Sequence, residues 1–310
     1  MRLLVTGAHG MLGWDVVRAG ERAGHELVAL GRAELDVVDE EAVVHAFARI
    51  RPDAALNCAA WTDVDRAESN REQAHAVNAD GAGNLARAAA AAGVPLLHVS
   101  TDYVFQGDAP LDAAGSPRPY LESDPTGPRS VYGETKLAGE VEVLAASAGH
   151  TVVRSSWLFG LHGRNFAATM LALASSRDPG DPPAVAPDTP DTPDTPDTPV
   201  VRVVTDQIGC PTWTGHLAPA LLGLIEREVS GLVHLAGTGE ASWNGFAREI
   251  FRQAEIRCRV EPASSEQMAR PAPRPAWSAL GSEREDVLAM PDWRDGLAGY
   301  LAARAGMMRA

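Results

Sequence analysis

Short apolar runs alternate with amphipathic stretches through the first half of the chain. RLLVTG at 2–7 precedes a helical pattern over 12–23, ELVAL at 26–30 precedes one over 40–50, and AALNCA at 54–59 precedes one over 73–92. PLLHVS at 95–100 and TVVRSS at 151–156 then flank a further helical stretch over 132–148. Regular alternation of strand and helix with short connections implies parallel strands joined by right-handed crossovers. The pattern predicts an α/β fold, a doubly wound parallel sheet of Rossmann type. The near-continuous alanine of 84–93 suits a helix pressed tightly on that sheet and ended by Gly93 before Pro95.

The second half is less regular. Composition changes abruptly over 178–199, where Pro-Asp-Thr occurs four times in succession from 187 to 198. With prolines removing backbone donors and no aliphatic side chain in the repeat to bury, this stretch reads as a solvated, flexible and functionally silent loop. Beyond it come VRVV, the polar loop TDQIGCPT, helical patterns over 216–229 and 243–254 around LVHLAG, a Pro-rich stretch at 262–275 and a last helix over 293–303. These pieces are too scattered for an independent sheet. They predict a smaller, mixed substrate-binding lobe over the carboxyl ends of the strands. The expected division is a dinucleotide-binding domain at 1–157, with later segments near 205–255 contributing, and a substrate lobe over most of 158–310.

Composition narrows the class. At 310 residues, 45% apolar and 22% charged, the chain can bury a substantial core. Its apolar runs fall far short of the ~20 residues of a membrane-spanning helix, and Met1 leads directly into a strand without a secretory signal pattern, so a cytoplasmic protein is expected. Cys58, Cys210 and Cys258 lie far apart and suggest free thiols rather than a disulfide framework or a zinc site. A net charge of −14 opposes a nucleic-acid surface, and means that an anionic ligand must be met by local groups.

Candidate chemistry begins after the first strand. Gly7, Gly10 and Gly13, with Met11 and Leu12 between the last two, give the spacing GxxGxxG at the start of a helix. Glycines there permit a tight turn and close approach of a pyrophosphate, whose charge then sits at the positive end of the helix. The second strand ends at Leu30-Gly31-Arg32 without the acidic residue that holds a ribose 2′-hydroxyl. Arg32 suits a 2′-phosphate instead, which favours NADPH with NADH as the alternative. Asp36 and Val37 are placed to flank the adenine.

Tyr132 and Lys136 stand four apart on one helix face. A neighbouring ammonium is expected to lower the tyrosine pKa toward the range of efficient proton transfer. Thr101, in the Ser100-Thr101-Asp102-Tyr103 stretch that ends a strand, offers a hydroxyl to a substrate carbonyl as negative charge develops on its oxygen.

At these residues the chain resembles the extended short-chain dehydrogenase/reductases, and specifically the dTDP-4-dehydrorhamnose reductase family. The resemblance runs through GAHGMLG, RPDAALNCAAWTDVDRAES, HVSTDYVFQG, VYGETKLAGE, RSSWLFG, NFAATM, DQIGCPT, APRPAWSAL and PDW, in order over nearly the whole chain. It implies Tyr132 as general acid, Lys136 as its partner, and Thr101 with Asp102 at the sugar. It also implies Gly10, Met11 and Leu12 at the pyrophosphate, and Asp36, Val37, Ala60, Trp61 and Thr62 around the adenine and ribose, with Trp157 contacting substrate. For the diphosphate of a dTDP-linked ketodeoxysugar the candidate is Arg274. The implied reaction is reduction of the C4 keto group.

Three departures from the family stand out. Trp61 replaces a small polar residue, the Pro-Asp-Thr repeat has no counterpart, and only Asp15 matches the acidic positions that bind magnesium at a dimer interface in some members. No metal is therefore implied, and the chain reads as a monomer or a homodimer. Asp102-Tyr103 stands where a 4,6-dehydratase carries Asp-Glu, and the cysteine of a GDP-fucose synthase is missing between Thr101 and Phe105. Two alternatives stay open: a reductase of another dTDP-ketodeoxysugar in antibiotic biosynthesis, such as a dihydrostreptose synthase, and a non-catalytic regulatory subunit.

Overall fold

The computed structural model describes residues 1–175 and 198–307; most of the 178–199 stretch and the whole of the repeat save its last residue lie outside them. The chain opens with β1 (Arg2–Thr6), α1 (Met11–Arg22), β2 (Glu26–Leu30), α2 (Glu40–Ile50) and β3 (Ala54–Asn57). Next come α3 (Val64–Ala67), α4 (Arg71–His75), α5 (Gly81–Ala91), β4 (Leu96–Thr101), α6 (Val131–Ala146) and β5 (Thr151–Ser155). The later part holds β6 (Leu158–Phe159), α7 (Phe166–Ser175), β7 (Val200–Val204), β8 (Ile208–Gly209), β9 (Thr212–Trp213), α8 (Thr214–Glu226) and β10 (Gly231–His234). It closes with β11 (Ala241–Ser242), α9 (Trp243–Gln253), β12 (Arg259–Ala263) and α10 (Trp293–Met307).

Six parallel strands form the main sheet in the order β10-β5-β4-β3-β1-β2. Side chains alternate across it with the period of two that strands impose. Leu3, Val5, Leu56, Leu97 and Val153 face one way, onto Leu12 and Val16 of α1 and Leu217, Leu221 and Leu224 of α8. Leu4, Ala55, Leu96 and Val152 face the other, onto Val43 and Phe47 of α2, Ala82 and Leu85 of α5 and Val143 of α6. Burial on both faces explains why these strands read as continuous apolar runs. The chain thus has the doubly wound fold its pattern predicts.

The helix expected over 73–92 is interrupted. Residues Ala76–Asp80 form a π-turn between α4 and α5. The widened turn lets α6 approach so closely that a Cβ on Gly139 would stand 2.1 Å from the Asn78 carbonyl oxygen. Asn78 uses its amide there to bridge Trp61 and the hydroxyl of Thr135. Strand β10 and helix α8, from late in the chain, complete the main sheet and one of its layers. The rest of the later elements gather around Phe159, Phe246, Trp293 and Tyr300, with β7 and β12 paired in parallel. Among the described residues no helix is long and apolar enough to cross a membrane.

Candidate functional site

The carboxyl ends of the strands open into a cavity of about 710 Å³. It lies where the strand order reverses between β1 and β3, the point at which open α/β sheets take their ligands.

One end of the cavity is the turn from β1 into α1. Gly7 has φ +65°, and a Cβ there would meet the backbone of Ala59 at 2.5 Å. A Cβ on Gly13 would stand 2.3 Å from the Gly7 carbonyl oxygen. No side chain caps α1, whose N-cap is Gly10, so the N–H groups of its first turn face the cavity mouth unpaired by a cap. Gly7, Gly10, Met11, Leu12 and Gly13 all line the space. A tight turn, an uncapped helix start and clear volume above them fit a dinucleotide pyrophosphate.

Arg32, Asp36, Val37, Ala60 and Thr62 continue the lining. Arg32 is exposed and has no ion-pair partner among the described residues. The nearby carboxylate of Glu34 is folded back, accepting the Gly31 N–H at 2.9 Å. Arg32 thus leaves an unpaired positive charge at this end, as a 2′-phosphate requires. Trp61 is set apart from its neighbours: it does not line the cavity. Its backbone N–H donates to Asn78 Oδ1 at 2.8 Å, its indole N–H donates to the Asp63 carbonyl, and its ring packs with Ala67, Ala74 and Val131. A bulky indole finds its burial there rather than at the cavity wall.

Helix α6 brings Tyr132 and Lys136 to the cavity. Ser130 caps it by accepting the Gly133 N–H at 3.1 Å, and Tyr132, Lys136 and Glu140 follow on successive turns of one face. The Tyr132 side chain and Thr101 line the same cavity. The Thr101 hydroxyl donates to Asp102 Oδ1 at 2.9 Å. Burial pushes the Tyr132 phenol up to about 12. The lowering expected from Lys136 is not what the fold produces: burial dominates, and what lowering there is comes from Thr101 and not from the lysine. A tyrosine that keeps its proton is what proton donation to a reduced carbonyl needs.

Lys136 is 1% exposed and donates to the Val99 carbonyl at 2.6 Å. Burial pushes its ammonium down to about 8, with the charge of Glu140 working against that. Glu140 is itself buried, in a bidentate pair with Arg154 of β5 and a hydrogen bond from Ser100 of β4 at 2.5 Å. Asp102 is 2% exposed with its Oδ2 unpartnered, and burial pushes its carboxyl up to about 6. Ser155 Oγ, also in the lining, is a second buried atom without a partner.

Trp157 sits at the far wall with φ +48°, a left-handed backbone that a bulky side chain rarely adopts. It stacks on Trp243 at 3.5 Å with the rings 3° from parallel, and the pair forms an apolar wall. Arg274 stays outside the lining. Its guanidinium is held by Asp65 at 2.6 and 3.0 Å, so a role at a diphosphate requires that pair to open. Asp15 accepts a hydrogen bond from the Thr214 hydroxyl.

Among the lining residues that the sequence reading missed are Trp243, Ser155 and Arg164. Ser242-Trp243 shows in sequence only as a helix start, and nothing local reveals which wall the indole joins. Arg164 is exposed, without an ion-pair partner among the described residues, on a loop lying against Met11. A further signal was available: among 27 cationic side chains Lys136 is the single lysine, the rest being arginine.

The chain matches the profile of the RmlD substrate binding domain over residues 1–182 and 195–305, a match that omits most of the Pro-Asp-Thr repeat. It is 40% identical to a dTDP-4-dehydrorhamnose reductase of Mycolicibacterium smegmatis, over 98% of this chain and 86% of that one. It is 43% identical to a dTDP-4-dehydrorhamnose reductase of Streptomyces griseus, over 91% and 86% respectively. The crystal structure of dTDP-4-dehydrorhamnose reductase from Bacillus anthracis in complex with NADP superposes with a TM-score of 0.86, at 33% identity, covering 97% of this chain and 99% of that chain.

Proposed function

The chain belongs to the dTDP-4-dehydrorhamnose reductase family, and on that premise we propose that it reduces the C4 keto group of dTDP-4-dehydro-β-L-rhamnose with NADPH, giving dTDP-β-L-rhamnose. The observation that carries this reading is that Thr101, Tyr132 and Lys136 line the same cavity as an open glycine turn.

When bound, NADPH supplies the hydride that reduces C4. The residues of the chain do the rest. Gly7, Gly10, Met11, Leu12 and Gly13 present backbone N–H groups to the pyrophosphate, and Arg164 adds a counter-charge beside Met11. Arg32 pairs with the 2′-phosphate, while Asp36, Val37, Ala60 and Thr62 hold the adenine and ribose side. The Thr101 hydroxyl, turning its proton from Asp102 to the C4 oxygen, donates a hydrogen bond there, and Tyr132 gives that oxygen its proton. Lys136, as an ammonium, stabilises the phenolate left behind. Asp102 Oδ2 and Ser155 Oγ take hydroxyls of the sugar, which satisfies two atoms otherwise buried without partners. Trp157 and Trp243 cover the apolar edge of the 6-deoxysugar. A cytoplasmic location, and a monomer or homodimer, complete the reading.

The test is loss of the near-ultraviolet absorbance of NADPH on addition of the 4-keto sugar nucleotide, with Tyr132→Phe alongside. Turnover that falls about 10²–10⁴-fold in the variant is the expected result. Cofactor binding without turnover refutes the assignment, and turnover only with another dTDP-ketodeoxysugar moves it to that substrate.

A further inference from the structure

Lys136 has an unusual set of neighbours for a buried cation. Besides the Val99 carbonyl, its Nζ lies 3.1 Å from Nε2 of His98. The other ring nitrogen, Nδ1, lies 2.9 Å from Nδ2 of Asn57. The orientation of that amide follows from its oxygen, which accepts the Ala59 backbone N–H at 2.9 Å and the Thr6 hydroxyl at 2.7 Å. Its NH₂ therefore faces the ring, and an amide NH₂ only donates. Nδ1 of His98 must accept.

A neutral imidazole that accepts at Nδ1 carries its proton on Nε2. His98 is 0% exposed, and burial keeps its ring neutral by holding its pKa well below the ordinary histidine range. The Nε2–H then points at Lys136. An ammonium has three donors and no lone pair, so it meets this N–H as donor against donor; an amine accepts it and still donates to Val99.

We propose, taking Lys136 as the ammonium partner of Tyr132, that Thr6, Asn57 and His98 are positioning residues that favour the amine form of Lys136 and thereby set the pH above which the reductase loses activity. The identity of the residue supports this independently. A chain that uses arginine for every other cation keeps one lysine here, where arginine would be unable to release a proton.

Other charged and titratable groups around Lys136 do not reproduce the effect. Glu140, one turn on along α6, favours the ammonium but is already paired with Arg154 of β5. Cys58, after β3, is pushed up to about 12 and stays a thiol, and Tyr132 holds its proton. Asp102, after β4, acts on Tyr132. His98 is the group that opposes the ammonium by direct contact.

A single lysine makes the measurement direct. Isotope-labelled lysine gives one side-chain resonance in the full chain, and its titration reads the protonation of Lys136 without any substrate. Labelled histidine reports the tautomer of His98. The expected result is Lys136 titrating near pH 8, below the usual 10.5, with the His98 proton on Nε2. In Asn57→Asp a carboxylate oxygen replaces the NH₂, so the proton moves to Nδ1 and Nε2 accepts from the ammonium. The Lys136 titration, and with it the alkaline limb of kcat/KM, then rises by about one pH unit or more. His98→Gln, whose amide oxygen can turn toward Nζ, gives the same direction if Asn57→Asp does not fold. Wild-type His98 with its proton on Nδ1, or a Lys136 titration that both variants leave in place, overturns the proposal. Lys136 and His98 behaving as expected without turnover on the sugar nucleotide overturns instead the reductase reading.

Discussion

Removing Glu140 should destabilise the active site from behind. Its carboxylate receives Arg154 Nη2 at 2.7 Å and Nε at 3.0 Å and the Ser100 hydroxyl at 2.5 Å, with the two ionic side chains 3% and 4% exposed. These bonds tie the helix that bears Tyr132 and Lys136 to both β4 and β5. Glu140→Leu leaves the guanidinium of Arg154 buried without a counter-charge, a loss of about 3–5 kcal/mol. At an unfolding entropy of ~2.1 cal/mol/K per residue, a chain of this length carries roughly 0.65 kcal/mol/K, so Tm falls by about 5–8 °C. Arg154→Met should cost a similar amount by stranding the carboxylate. The double variant removes both charges and should recover most of the loss, ending within about 1 kcal/mol of the wild type. Thermal unfolding of the four proteins completes the cycle. A double variant that costs the sum of the two singles refutes the reasoning, because it would mean that packing and not charge pairing holds the helix.

Three other outcomes follow from the geometry. Gly13→Ala drives a methyl to 2.3 Å from the Gly7 carbonyl oxygen, so it should weaken NADPH binding more than tenfold and lower stability by about 1–3 kcal/mol; a cofactor titration and a melting curve check both. Arg32→Ala should raise KM for NADPH about tenfold or more, the loss of a charge-assisted hydrogen bond, and leave KM for NADH unchanged; equal effects on the two cofactors would remove Arg32 from the 2′-phosphate. The carboxyl of Asp102 is raised from 3.8 to about 6 in the folded chain, so folding favours its protonated form and its charge destabilises the fold above that pH. Asp102→Asn should therefore stabilise the protein at pH 7–8, by up to about 3 kcal/mol, and the advantage should fade as pH falls from 6 toward 4; melting curves across that range, and a fall in kcat/KM for the sugar, are the readouts.

What the sequence determined by itself was local. Strand and helix periodicity, the glycines at 7, 10 and 13, and the four-residue step from Tyr132 to Lys136 are set by backbone sterics and helical geometry, which need only near neighbours. They were enough to specify the doubly wound sheet and the end of it that carries the chemistry. The tertiary structure decided which charges are free and which are spent. Asp65, 209 positions away, holds Arg274, and the loop bearing Arg164 lies against Met11. The raised pKa of Tyr132 and the chain from Thr6 through Asn57 and His98 to Lys136 likewise arise only when β1, β3, β4 and α6 are packed together, and the Trp157–Trp243 wall only when the start of α9 meets the turn after β5. Desolvation and hydrogen-bond direction depend on what surrounds a group in space, and neither is written in the spacing of residues along the chain.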